Sequence, residues 1–400
     1  MNKTYILTLL AILFMFNVNA KTTNQIRVAT FNVSMEALNY VPYQKGKTPE
    51  VSGQTLVDAL ASDHQQIKNI AEIIQRVNPD IILLNEFDNG VNTNTNDHAA
   101  LLSFIKNYLN KSQNGQEPVD YPYYYQGPVN TGVNSGDDLD NNGIAGQLPA
   151  DGYGYGHFPG HFAMALLSKY PIDESKIRTF QHFKWKDMPG ALRPFHPDTK
   201  QPWHNEATWS NFRLSSKSHW DIPVNVNGSE LHILASHPTP PVFDGKEDRN
   251  GKRNHDEIRF WTDYITPNNA SYIYDDQGNK GGLAVNKSFV LMGDQNATIH
   301  EGNAIKKGIA DLLAHSRIQD VMPQSNGALK HKPNNEFAKY HTAFWGMRVD
   351  YVLPSTAGIS VKDSGVFWPT KDDSLFRLIK DRSASSDHRL VWLDLDLNKP

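Results

Sequence analysis

The sequence predicts a layered α/β fold from three observations. Short apolar runs, such as 81–84 and 289–292, lack helical spacing and fit strands buried inside a sheet. A stretch with helical apolar spacing, 62–77, lies between the first two strand runs and is closed by Pro79. Each run stops abruptly on glycine, proline, an amide or a carboxylate, so the strand ends carry the polar chemistry.

The first twenty residues stand apart from this pattern. Lys3, an apolar run over 5–16 and the small residues Val18-Asn19-Ala20 make a secretory signal peptide, too short for a bilayer span of roughly 20 apolar residues. The mature chain, about 380 residues, is then expected in the periplasm or outside the cell, with an uncleaved anchor as the alternative. No later stretch is apolar enough to cross a membrane. The length suits one large domain over 21–400, with insertions near 120–160, 184–220 and 244–282.

Composition narrows the chemistry. The chain has no cysteine, which excludes disulfides, thiolate metal sites and cysteine nucleophiles. Its net charge of -4 becomes -5 once Lys3 leaves with a leader that holds no acidic residue. A mildly acidic chain without a basic run is a poor electrostatic grip for long nucleic acid, although a local basic groove remains open to it.

In order, residues 25–33 form a first strand that ends near Asn32, and 80–88 a buried strand that ends at Glu86. A charged Glu86 straight after Ile-Ile-Leu-Leu must be solvated, paired or bound to a cation. A helix follows at 99–109. Within the next polar stretch, Asp138, Asp140 and Asn142 with Gly143 match the front half of a calcium loop, but its twelfth position is Pro149, so a plain polar surface loop stays open. Residues 162–168 return to strand character. Residues 184–220 then gather four tryptophans with Arg193 and several histidines. This is either an aromatic and cationic cover over a phosphate-bearing substrate or a long loop pinned by aromatic packing.

A strand over 231–236 runs into three prolines with His237 at its end. Residues 244–255, charged and flexible in composition, hold Arg249, which with Arg193 is a candidate substrate contact, and a short helix is expected at 256–264. Phe289-Val290-Leu291-Met292 is the strand on which the rest is organised. Gly293 permits an unusual backbone angle, and Asp294 and Asn296, two residues apart, project the same way from extended chain. A helix at 305–313, a strand at 349–353 interrupted by Asp350, and a last strand over 389–397 preceded by Asp387 and His388 complete the chain.

The ordered set Thr30-Phe31-Asn32, Asn85-Glu86, Ser236-His237, Gly293-Asp294-Gln295-Asn296, Arg348-Val349-Asp350-Tyr351 and Ser386-Asp387-His388 resembles the endonuclease/exonuclease/phosphatase superfamily. The resemblance implies a four-layer αββα sandwich of two packed mixed sheets flanked by helices. It also implies phosphoester hydrolysis with Mg²⁺, or Mn²⁺, as hard oxygen ligands favour. By the same resemblance Glu86 binds the metal, Asn32 holds its water shell or the phosphate, and Asp387 lies nearby. Asp294 orients or deprotonates the attacking water, and Asn296 positions a phosphate oxygen. His388, oriented by Asp350, donates to the phosphoryl oxygens, and His237 contacts the phosphate or assists the leaving group. One departure stands out: the second glutamate that pancreatic-type nucleases pair with the histidine is missing, with His161 and Phe162 near its place. The expected function is therefore a secreted metal-dependent phosphoesterase of a small or lipid-derived ester. The alternatives are an extracellular nuclease on DNA or RNA and a calcium-dependent binding protein on the same scaffold.

Overall fold

Among the described residues of the computed structural model, which are 25–42, 45–89 and 98–397, eleven strands form. The expected leader lies outside them. In chain order the strands are β1 (Gln25–Met35), β2 (Ile81–Phe87), β3 (Tyr123–Tyr125), β4 (Met164–Ser168), β5 (Arg178–Thr179), β6 (His219–Val226), β7 (Ser229–Ser236), β8 (Ser288–Asp294), β9 (Asp350–Pro354), β10 (Ile359–Val366) and β11 (Val391–Leu397). Helices α1 (Gly53–Ala61), α2 (Gln65–Val77), α3 (Ala99–Phe104), α4 (Glu206–Asn211), α5 (Arg249–Tyr264), α6 (Lys306–Leu313) and α7 (Asn326–His331) connect them.

The strands make a six-stranded sheet ordered β10-β11-β1-β2-β4-β3 and a five-stranded sheet ordered β5-β6-β7-β8-β9. Both are mixed, with β1 parallel to β2 and β7 parallel to β8. Burial of both its faces explains why β8 is apolar from Phe289 to Met292. Val290 and Met292 enter the core between the sheets with Ile233, Ala235 and Val352, whereas Phe289 and Leu291 turn to the opposite face against Trp261 of α5 and Ile309 of α6. On the outside of the other sheet, α1 and α2 bury Leu56, Ile67, Ile70 and Ile74. The result is the expected helix, sheet, sheet, helix sandwich.

Several elements differ from the sequence reading. Residues 249–255, expected to be flexible, are the first two turns of α5, because Arg253 and Asn254 are buried by hydrogen bonds rather than by apolar contact. Arg253 Nε donates to the Leu214 carbonyl at 2.8 Å, and Asn254 Nδ2 donates to the carbonyls of Thr239 and Gln295. The aromatic stretch ends inside β6, where Trp220 is fully buried in the core between the sheets rather than in a cover. The helix at 99–109 is α-helical only to Phe104 and continues as a π-turn to Leu109.

Candidate active site

The parity of β8 sets the site. Asp294 lies on the same face as Val290 and Met292, so its carboxylate continues the inter-sheet layer to the layer's edge, where it is 1% exposed. Gly293 makes this possible with φ +141°, and a Cβ there would stand 2.0 Å from the Ser236 carbonyl oxygen of neighbouring β7. Gly293→Ala is therefore expected to destabilise the protein by about 2 kcal/mol or more, read as a lower urea midpoint, and to displace Asp294.

Two amides bracket the carboxylates. Asn85 Oδ1 accepts the Thr30 hydroxyl at 3.3 Å and the Asp294 N–H at 3.2 Å, tying the two sheets together. Asn32 Nδ2 donates to Glu86 Oε1 at 3.0 Å and to Asp294 Oδ2 at 3.1 Å, while its oxygen accepts the Ser34 N–H. Asn32 thus faces the site with its nitrogen, as a clamp on both acids. Glu86 reaches the site because its backbone is left-handed, φ +53°, which breaks the strand alternation. A non-glycine residue held in that region costs of order 1 kcal/mol and is a sign of local function.

Glu86, His237 and Asp294 each bring a ligand atom within 4.8 Å of the others, and Asp294, Asp350 and His388 do the same. Removal from water pushes the Glu86 pKa up, with the charge of His388 and the Asn32 hydrogen bond acting against it. Among the described residues no Lys, Arg or His nitrogen lies within 4.0 Å of the Glu86 carboxylate. Carboxylates drawn together, one of them without a protein cation, fit a hard divalent ion, which Glu86 would hold with Asp294 beside it.

The two imidazoles are driven apart in charge. His388 Nδ1 lies 3.0 and 3.2 Å from the Asp350 oxygens, and Asp350 Oδ2 also accepts the Thr342 hydroxyl at 2.7 Å. Burial works against the charged ring, but Asp350 and Asp294 overcome it and raise the His388 pKa to about 10. His388 Nε2 is then a proton-bearing donor 3.6 Å from Asp294 Oδ2. His237, 3.5 Å from the same oxygen through Nε2, is held neutral well below its usual pKa by burial and by the charges of Lys217 and His388. Its buried Nδ1 has no hydrogen-bond partner, so no second carboxylate pairs with it. Asp294 itself is raised to about 7, by burial first, against the field of His388.

The remaining expected residues fall into place less evenly. Asn296, φ +53°, donates its N–H to Asp294 Oδ1 at 2.9 Å and its side chain to the Pro238 carbonyl at 3.1 Å, leaving one amide hydrogen for a ligand. Asp387 stands outside the two tight groups, with Ser34 Oγ at 3.2 Å and Arg382 at 3.8 Å. Arg193 is engaged by Glu206 and stands over Trp209, and Arg249 pairs with Glu247 and stands over Trp203. Trp185 and Trp203 donate to Asp256 and to the Leu139 carbonyl, which is the loop-pinning arrangement. Asp138 and Asp140 meet Asp151, not a residue at the twelfth position, and with Asn142 they accept backbone N–H groups of their own loop, as a polar turn does.

One pair escaped the sequence reading. Glu36 accepts from His161 Nε2 at 3.2 Å, and His161 Nδ1 accepts the His157 N–H, so that ring is neutral with its proton on Nε2. Burial lifts Glu36 to about 7. No motif marks Glu36, because the sequence closes the first strand near Asn32 whereas β1 runs on to Met35, directly before it.

A hard-oxygen cradle between one neutral and one cationic imidazole, at the edge of a two-sheet sandwich, defines a metal-dependent hydrolase of anionic esters. Residues 29–388 match the sequence model of the Endonuclease/Exonuclease/phosphatase family, and the chain belongs to that family, whose members are metal-dependent phosphoester hydrolases. No curated protein sequence matches it. Among solved structures it is similar to an endonuclease/exonuclease/phosphatase from Beutenbergia cavernae, at 15% identity over 94% of this chain and 72% of the other, TM-score 0.49. It is also similar to a Staphylococcus aureus beta toxin with bound magnesium ions, at 14% identity over 94% and 100%, TM-score 0.43. Sphingomyelinase C from Streptomyces griseocarneus is a further likeness, at 13% identity over 92% and 99%, TM-score 0.40.

Proposed function

We propose that the protein is a secreted, Mg²⁺-dependent phosphoesterase that hydrolyses a small or lipid-derived phosphodiester or phosphomonoester by in-line attack of water. The observation that carries this reading is Asp294 Oδ2 lying 3.5 Å from a neutral His237 and 3.6 Å from a cationic His388. An acid titrating near 7 suits a general base at neutral pH, and Asp294 takes the proton of the attacking water. His388 donates its Nε2–H to a phosphoryl oxygen as charge builds there, held in one tautomer by Asp350. His237 is left free to contact the phosphate or the leaving group. A divalent cation, when bound, supplies charge neutralisation at the phosphoryl oxygens.

The acidic net charge and the unpaired His237 Nδ1 favour a compact ester over duplex nucleic acid. The leader sequence supports export, which N-terminal sequencing of the mature protein checks. Purified protein is expected to hydrolyse bis(p-nitrophenyl) phosphate, to lose that activity in EDTA and to regain it with Mg²⁺. Rapid plasmid nicking at moderate salt would move the assignment to a nuclease. Hydrolysis indifferent to EDTA would remove the metal from the account.

A further inference from the structure

We propose that Trp345 is the specificity-determining residue of the site: its indole stacks on a ring carried next to the scissile phosphate, so the substrate class is a phosphate ester with a planar body. This rests on the phosphoesterase reading above. Trp345 is 43% exposed and its neighbour Phe344 47%, whereas the other seven tryptophans are buried or half-buried. An aromatic pair left in water at the edge of a site marks ligand contact rather than packing. The placement is direct. The Trp345 and His388 rings lie 4.9 Å apart, centre to centre, at 85°, so one side of the indole borders the proton donor and the remainder stays open to solvent.

The turn that carries Trp345 is stitched to the chain end that carries His388. The Phe344 N–H donates to the Asp387 carbonyl and the Arg389 N–H to the Thr342 carbonyl, each at 2.8 Å, and Ala343 bridges His388. Gly346, φ +93°, closes the turn with its N–H on the Ala343 carbonyl at 2.9 Å. Thr342, at the start of the turn, also holds Asp350, the partner of His388. Trp345 is therefore fixed in register with His388, and stacking on it needs no loop to be ordered first.

Beyond the turn there is room for the body of such an ester. A concavity of about 660 Å³ is lined by Glu301, His331, Lys332, Asn335 and Phe337, a size that suits a small organic ligand. Its wall is continuous with the turn. His331 Nε2 donates to the Phe344 carbonyl at 2.7 Å, the His331 and Phe344 rings lie 4.8 Å apart, and a Cβ on Gly346 would stand 2.9 Å from the Lys332 side chain. From the other side, Glu301 accepts from Nε2 of His341, the residue before Thr342, at 3.0 Å. His388, Trp345, Phe344 and the concavity thus form one path leading away from the reaction centre. The path offers ring faces together with an ammonium, an amide and a carboxylate, which suits a planar polar body better than a bare hydrocarbon chain.

The test measures by calorimetry, in Mg²⁺, the binding of inorganic phosphate, methyl phosphate and phenyl phosphate to wild type, Trp345→Ala and Trp345→Phe. Turnover of bis(p-nitrophenyl) phosphate is followed beside it. Wild type is expected to bind phenyl phosphate about 10-fold more tightly than methyl phosphate. Trp345→Ala is expected to lose most of that preference and to raise KM by about 5- to 10-fold with kcat changed less, inorganic phosphate affinity and the alkaline limb of activity staying in place. Trp345→Phe is expected to keep most of the preference. A preference unchanged in Trp345→Ala overturns the proposal. So does a loss that falls equally on inorganic phosphate or moves the alkaline limb, since Trp345 would then only support His388. Phenyl phosphate bound no more tightly than methyl phosphate by wild type overturns it without any variant. A wild type that hydrolyses no ester sinks the phosphoesterase reading instead, while the binding comparison still decides the role of Trp345.

Discussion

Asp294→Asn is expected to lower kcat by about 10²–10⁴-fold while leaving the fold intact, because the substitution keeps the shape and removes the proton acceptor. Asp294 stands between the two imidazoles and two of the amides. Its Oδ2 meets Asn32, His237 and His388, and its Oδ1 fixes the Asn296 N–H. An amide in its place presents a donor to Asn32 Nδ2 on one side or to the Asn296 N–H on the other. The loss should therefore appear in kcat more than in KM. The pH profile carries a second signature. Asp294 must be ionised to act, so wild-type kcat/KM rises with pH up to about 7, and a bound cation moves that limb lower. The variant should lack the limb, and a variant with the wild-type profile and rate would remove Asp294 from the mechanism.

His388→Ala is expected to cost about 10²–10⁴-fold in kcat, and Asp350→Asn less. The distinction follows from geometry: His388 points Nε2 at the reaction centre, whereas Asp350 acts through it by accepting from Nδ1. His388 must be protonated to donate, and its pKa near 10 places the falling limb of activity there. With Asp350 neutralised, burial is less opposed, so the limb should move down toward the ordinary histidine range. Measured kcat across pH 6 to 10.5 decides this. An unmoved alkaline limb in Asp350→Asn would contradict the assigned role of the pair.

Much of this site was legible in the sequence because strand ends are local events. The runs at 81–84 and 289–292 are apolar on both faces since helices cover each sheet from outside, and the first polar residues beyond them had to be at the sheet edge. Glu86 and Asp294 were read that way, whereas Asp350, inside a strand, and His388, ahead of one, were marked by the ordered motifs of the resemblance, and Asp294 belongs to two groups, one with Glu86 and one with Asp350 and His388. What was not legible depends on packing between distant segments. β6 was hidden because Pro223 interrupts its alternation and its first two residues fall in the aromatic stretch 184–220; its buried Asp221 is satisfied by His232 and Tyr264. The first turns of α5 were hidden because hydrogen bonds bury Arg253 and Asn254 where apolar spacing would ordinarily signal a helix.

The convergence of these strand ends on a single cation site is tested most directly by the position of Mn²⁺ in crystals of the wild-type protein, located by anomalous scattering. A peak in coordinating contact with Glu86, beside Asp294 and Asn32, is the predicted result. Manganese bound only elsewhere, with the carboxylates of Glu86 and Asp294 left without an ion at saturating metal, would contradict it.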